Sequence, residues 1–164
     1  MITLRAFAPA DIPELVKLLN DEAVTRFLST KIPQPYTQDD ATWWVEEGSL
    51  LATNRAIEVN GKLAGCVGVN RGEFEYARSG ELGYWLGAGF WQRGIASAAA
   101  RQMIVQVFED TDIERLFATV FSGNLASMAL LRKLCFTEEA VLQRAIFKNG
   151  QFYNSHIFSL LKQA

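Results

Sequence analysis

Histidine is all but missing from this 164-residue chain. His156 stands alone, which excludes a histidine-rich zinc site and argues against a Ser-His-Asp triad. It is expected to pack or hydrogen-bond within the last strand. Cysteine is nearly as scarce, and Cys66 and Cys135 sit in apolar surroundings with no metal or redox spacing, as in a reduced cytosolic protein. A surplus of positive charge is also lacking. Sixteen Lys and Arg against 18 Asp and Glu give a net charge of −2, which argues against non-specific binding to nucleic acid and suits an amine substrate. No apolar run is long enough to cross a bilayer, and the opening MITLRAFAPADI lacks the apolar core of a signal peptide. The expectation is a cytoplasmic protein with no membrane partner. What remains has ordinary globular composition, 49% hydrophobic and 21% charged, and its length predicts one domain over residues 1–164.

Local patterning predicts the elements. Ile2, Leu4 and Phe7 approximate strand alternation, with Pro9 ending the run. Asp11 reads as the N-cap of a helix carrying Leu15, Val16 and Leu19 on one face, and 21–28 as a short second helix. Pro33 and Pro35 force an extended connection, after which Thr37, followed by Asp39 and Asp40, starts a third helix that stops near Gly48. Runs 55–59 and 63–69 are joined by Asn60-Gly61, and runs 139–147 and 152–160 by Asn149-Gly150, the strongest short signal for a hairpin. Between these hairpins lie a strand over 81–86, a helix over 95–108 with an acidic exit turning in solvent, a strand over 116–121 and a helix over 125–134. The order β α α α β β β α β α β β predicts an α/β (α+β) fold. Its mixed, largely antiparallel central sheet has about seven strands flanked by helices.

The most informative stretch is ELGYWLGAGFWQRGIASAAARQ, Glu81 to Gln102. A strand, a turn punctuated by Gly87, Gly89 and Gly94, and a helix together make an anion-binding device. Glycine lets the backbone approach a ligand, and the first helical N–H groups sit unpaired at the positive end of the macrodipole. The dinucleotide fingerprint fails because Gln92 occupies its third glycine position, and the Walker pattern fails because Ile95 follows Gly94. Trp91-Gln92-Arg93-Gly94-Ile95-Ala96 remains, read either as a phosphate-holding turn or as a tight turn with small residues for close packing.

These residues resemble the acetyl-CoA motif of the GNAT superfamily of N-acetyltransferases, Gln/Arg-x-x-Gly-x-Gly/Ala, with Gly94 and Ala96 matching and Trp91 departing. The Trp-x-x-Gly-x-Ala form is similar to the branch of ribosomal-protein N-terminal acetyltransferases (Rim-type). LRAFAPADIPEL, ELGYWL, Asn124-x-x-Ser127 and the closing Gly150 hairpin resemble that branch as well. Leu134-Cys135-Phe136 resembles the family's Leu-Gly-Phe helix end, with cysteine in place of glycine.

The resemblance implies an acyltransferase with acetyl-CoA as co-substrate and no metal. The acceptor would be a primary amine, first a protein N-terminal α-amine and second a small-molecule amine. A non-catalytic acyl-CoA-binding or regulatory module of the same fold is the alternative, and either a monomer or a homodimer fits. Acetyl-CoA would lie against Trp85 and Leu86 at the end of the motif strand, where a free backbone N–H near Leu86 or Gly87 would stabilise the oxyanion. Trp91, Gln92, Arg93, Gly94, Ile95, Ala96 and Ser97 would hold its pyrophosphate, Asn124 would hydrogen-bond it, and Ser127 would lie near its sulfur. Glu81 is read as the base or as a solvated strand-end acid, with Glu73 and Glu75 in reserve. Ser127 is read as an acid for the leaving thiolate or, with Asn124, as part of a helix cap, and Tyr153 as an alternative acid. One of Trp43 and Trp44 belongs to the core, the other to an entrance.

Overall fold

The computed structural model describes residues 1–164. Its elements are β1 (Ile2–Arg5), α1 (Ile12–Leu18), α2 (Glu22–Thr25), α3 (Gln38–Glu46), β2 (Thr53–Val59), β3 (Lys62–Arg71), β4 (Ser79–Leu86), α4 (Ile95–Asp110), β5 (Arg115–Phe121), α5 (Leu125–Lys133), β6 (Thr137–Lys148) and β7 (Gln151–Leu161). The strands form a seven-stranded mixed sheet in the order β1-β2-β3-β4-β5-β7-β6. Both the element order and the fold class agree with the sequence. No helix is long and apolar enough to cross a membrane. The chain divides into two compact units, Met1–Val69 with Tyr84–Ala100 and Asn70–Gly83 with Arg101–Ala164.

In the first unit, β1 runs antiparallel to β2, and β2 antiparallel to β3. Asn60 and Gly61 take φ of 51° and 80°, the paired left-handed conformations of a type I′ hairpin turn. Leu63–Val69 is buried at every residue, so this part of β3 is covered on both faces instead of alternating. Helix α3 starts with a capping box. The Asp40 N–H donates to Thr37 Oγ1 at 3.2 Å, and the Thr37 N–H to Asp40 Oδ2 at 2.8 Å. Trp44 packs edge-on against Phe7 with ring centroids 5.7 Å apart, whereas Trp43 is 50% exposed.

Two expectations fail here. β1 ends at Arg5, so Phe7 enters the core from beyond the strand. Asp11 does not cap α1 with its side chain. Its carboxylate accepts two bonds from the Arg5 guanidinium, each 2.8 Å, and the Ala8 N–H at 2.8 Å. A bidentate charged donor and a nearby N–H outcompete the helix terminus for the same oxygens. Burial pushes the Asp11 pKa up, but Arg5 and the Ala8 N–H more than reverse this and hold it below the usual carboxylate value.

In the second unit, β4 and β5 pair in parallel from Ser79↔Arg115 to Glu81↔Phe117. β7 lies antiparallel to β5 on one side and to β6 on the other. Phe158, Leu116, Met103 and Leu131 are fully buried and form the centre of its core. Asn149 and Gly150 repeat the type I′ geometry, with φ of 51° and 76°. Helix α4 runs on to Asp110, so Glu109 and Asp110 form its last turn and only Thr111 and Asp112 lie in the connection expected over 109–112. α5 ends with the Cys135 N–H donating to the Arg132 carbonyl and the Phe136 N–H to the Leu131 carbonyl, each at 3.0 Å. That is the Schellman pattern, with Cys135 itself at φ 69°. The left-handed cap therefore forms without glycine.

Candidate active site

The candidate residues fall into two groups, one in each unit. In the first unit the end of β4 and the turn into α4 are drawn together. The Trp91 indole Nε1–H donates to the Leu86 carbonyl at 2.9 Å and folds the turn back onto the strand. Gln92 and Gly94 both take left-handed φ, 58° and 72°. Two left-handed residues so close together turn the chain sharply just ahead of the helix. The Gly94 carbonyl then accepts the Ala98 N–H at 3.1 Å, the first bond of a 16-residue helix. The N–H groups of Ile95, Ala96 and Ser97 precede that bond and have no carbonyl of their own helix to meet. A Cβ built on Gly89 or Gly94 would meet nothing within 4 Å, so the turn opens onto free space. Partial positive charge, converging donors and room together fit a pyrophosphate.

The side chains of this group have separate tasks. Ser97 Oγ donates to the Gly94 carbonyl at 3.2 Å and braces the first turn. The Arg93 guanidinium reaches the Gly89 carbonyl at 3.4 Å and lies over the Phe90 ring, 5.7 Å from its centroid. It therefore stays beside the turn. Trp85 is partly buried against the core and Leu86 is buried at the end of β4.

Of the two N–H groups considered for the oxyanion, that of Gly87 is committed. It donates to the Ala64 carbonyl at 2.8 Å. Ala64 is the extra residue of a β-bulge, because Ile57 pairs with Gly65 while Glu58 pairs with Leu63. Leu86 is the remaining candidate. A Cβ on Gly65 would lie 2.0 Å from the Trp85 carbonyl oxygen, so only glycine allows β3 to approach the end of β4 this closely.

In the second unit, Glu81 is partly buried in the parallel ladder opposite Phe117. Asn124 Oδ1 accepts the Ser127 N–H at 3.3 Å, so the pair does cap α5. That bond uses the Ser127 backbone and leaves its hydroxyl outside the cap. The Tyr153 hydroxyl donates to Gln151 Oε1 at 3.0 Å, and its ring packs 5.4 Å from that of Phe121. His156 reaches across to β6, with Nδ1 3.1 Å from Glu138 Oε1. His156 and Arg132 hold the Glu138 carboxyl below its usual pKa. Cys66 is buried in the core, which pushes its thiol up to about 12, and Cys135 is exposed.

Sequence reasoning named Gln92 without its left-handed backbone, and passed over Gly65 and the indole bond of Trp91. Gln92 carries no compositional sign of its left-handed backbone, and the partner of an indole N–H is set by tertiary structure.

Residues 1–137 match the family model described as an acetyltransferase (GNAT) domain. A Bacillus subtilis (strain 168) protein classed provisionally as a ribosomal N-acetyltransferase, YdaF, is 25% identical over 99% of this chain and 92% of its own length. The structure of the microcin C7 self-immunity acetyltransferase MccE, in complex with acetyl-CoA and AMP, superposes with a TM-score of 0.85 at 27% identity. It covers 98% of this chain and 92% of that one. The ribosomal L7/L12 α-N-protein acetyltransferase RimL shares the fold, with a TM-score of 0.87 at 24% identity over 98% of this chain and 93% of its own.

Proposed function

Because the chain belongs to the GNAT acetyltransferase family, whose members move an acetyl group from acetyl-CoA to an amine, we propose that its acceptor is the α-amine of a protein N-terminus. For the co-substrate, the carrying observation is the turn through Gln92 and Gly94 into the open N-terminus of α4, which suits the pyrophosphate of acetyl-CoA. The likeness to YdaF favours a ribosomal protein as the acceptor. A small-molecule amine is the second reading, favoured by the likeness to MccE, whose complex holds AMP.

In this reading the backbone N–H groups of Gln92–Ser97 bind the pyrophosphate, with Trp91 holding the turn against β4. The Leu86 N–H faces the thioester oxygen and stabilises the charge that develops there as the amine attacks. Glu81 takes the proton of the ammonium, directly or through water, since most alkylamines are protonated at neutral pH. Asn124 binds the co-substrate, and the Ser127 hydroxyl binds the departing thiolate or donates a proton to it. With a thiol pKa near about 8.5 the leaving group needs little acid help, so binding is the larger part of that role. No covalent enzyme intermediate is required, because the amine attacks the thioester directly and positioning supplies most of the rate.

Calorimetric titration with acetyl-CoA, followed by thiol release against N-terminal peptides and a panel of small amines, tests the reading. Peptide-dependent release supports the first acceptor. Release with small amines alone replaces it with the second. Binding without release for any amine leaves a non-catalytic acyl-CoA-binding module, and no binding removes the cofactor assignment.

A further inference from the structure

Strand β6 is interrupted where β7 carries Asn154. Leu142 pairs with Ser155 and Ile146 with Tyr153, so Gln143, Arg144 and Ala145 together stand opposite Asn154 alone. Arg144, in the middle of that bulge, has φ 53°, a left-handed conformation that a residue with a Cβ rarely adopts. Its N–H donates to Asn154 Oδ1 at 2.9 Å. The same asparagine faces the other way with its backbone. Its N–H donates to Ser122 Oγ at 3.0 Å, and its carbonyl accepts the Ser122 N–H at 2.9 Å. Ser122 opens the turn that continues through Gly123, at φ 93°, to Asn124 at the start of α5.

The hairpin does not need this bulge in order to close. Asn149 and Gly150 form its turn, and the ladder from Lys148↔Gln151 to Ile146↔Tyr153 is complete without it. Asparagine is also poorly suited to a strand interior. Here it spends its side-chain oxygen on holding a strained residue on one side while its backbone holds a turn on the other. Strain of this kind persists only where surrounding structure enforces it, and bulges commonly re-aim the chain beside a functional site.

We propose that Asn154 is a positioning residue for acetyl transfer. It ties the β6 bulge to the Ser122–Asn124 turn and so sets the place of Asn124 and Ser127. The inference rests on the reading above that those two residues meet acetyl-CoA, Ser127 at its thiol. Losing Asn154 lets that turn and the first turn of α5 shift, while the turn through Gln92 and Gly94 is untouched.

The test uses the full chain, with steady-state kinetics, calorimetric binding of acetyl-CoA and thermal melting on Asn154→Ala and Asn154→Asp. The alanine variant should lose about 10-fold or more in kcat, since small displacements of positioned groups are expensive. Its acetyl-CoA affinity should fall by less than kcat does, because the pyrophosphate cradle is intact while only the contacts at Asn124 and Ser127 are displaced. Aspartate keeps an oxygen where the Arg144 N–H expects one and should restore kcat to within about threefold. An alanine variant with wild-type kcat overturns the proposal, and so does an aspartate variant as impaired as the alanine one. If the alanine variant fails to fold, Ser122→Ala replaces it. That change removes one link to the turn and should give a smaller fall, larger in kcat than in affinity, and an unchanged kcat there also overturns the proposal. A wild-type chain that turns over no amine removes the proposed function and this inference together. An active wild type with an indifferent Asn154 removes the inference alone.

Discussion

Cys135 occupies a position where most helices place glycine, and it bears the cost of a Cβ at φ 69°. Cys135→Gly should therefore stabilise the chain by about 1 kcal/mol, raising Tm by about 2–4 °C in a calorimetric melt. Gly94, at φ 72°, is the opposite case, because open space surrounds its missing side chain but the backbone favours glycine. Gly94→Asp adds modest strain and an anion facing the proposed pyrophosphate. Acetyl-CoA affinity should fall about 100-fold or more by calorimetry while the circular dichroism spectrum is kept. For Glu81, removal of the carboxylate should matter most where free amine is scarce. Glu81→Gln is expected to lower turnover chiefly on the acidic limb of the pH–rate profile, with acetyl-CoA affinity retained. A profile of unchanged shape would leave Glu81 a structural residue of the ladder.

At the scale of the element, the turn from β4 to α4 is tied back to its strand by a side-chain bond from Trp91 Nε1 to the Leu86 carbonyl. Trp91→Phe keeps an aromatic ring and deletes that donor. Acetyl-CoA binding should weaken about fivefold in titration, the size of one hydrogen bond, with little change in Tm. Elements were legible in the sequence wherever their cause is local. Asn60-Gly61 and Asn149-Gly150 name their own turn type, and Thr37 with Asp40 spells a capping box. Asp11 misled for the same reason. It reads as a cap until Arg5 competes for it from another element, which no local pattern reveals. The glycine turn of the candidate site was legible through Gly94 and Ala96. Its second left-handed residue was not, because Gln92 does not advertise that conformation. The Gly87 N–H looked available until the bulge at Ala64 brought a carbonyl to it.

For the molecule as a whole, the acid side of the stability curve should be set by carboxylates held below their usual pKa. Asp11 is held down by Arg5 and the Ala8 N–H against burial, Asp112 by Arg71, and Glu138 by His156 and Arg132. A carboxylate depressed in the folded state contributes stability above its unfolded pKa of about 4 and loses it as pH falls through the folded value. Denaturant unfolding should give a lower midpoint at about pH 3 than at pH 7. Asp11→Asn should flatten that dependence, since Asp11 is the buried member of the three.

Neither compact unit is a continuous stretch of chain. The first needs Tyr84–Ala100 to return to Met1–Val69, and the second is assembled from Asn70–Gly83 and everything after Ala100. During synthesis from the N-terminus, no nascent chain shorter than Ala100 contains the whole of the first unit. The three N-terminal helices and the first hairpin must wait, partly exposed, for a segment still to be made. That segment carries the glycine turn, so the stretch proposed to hold the co-substrate also completes the unit that comes first.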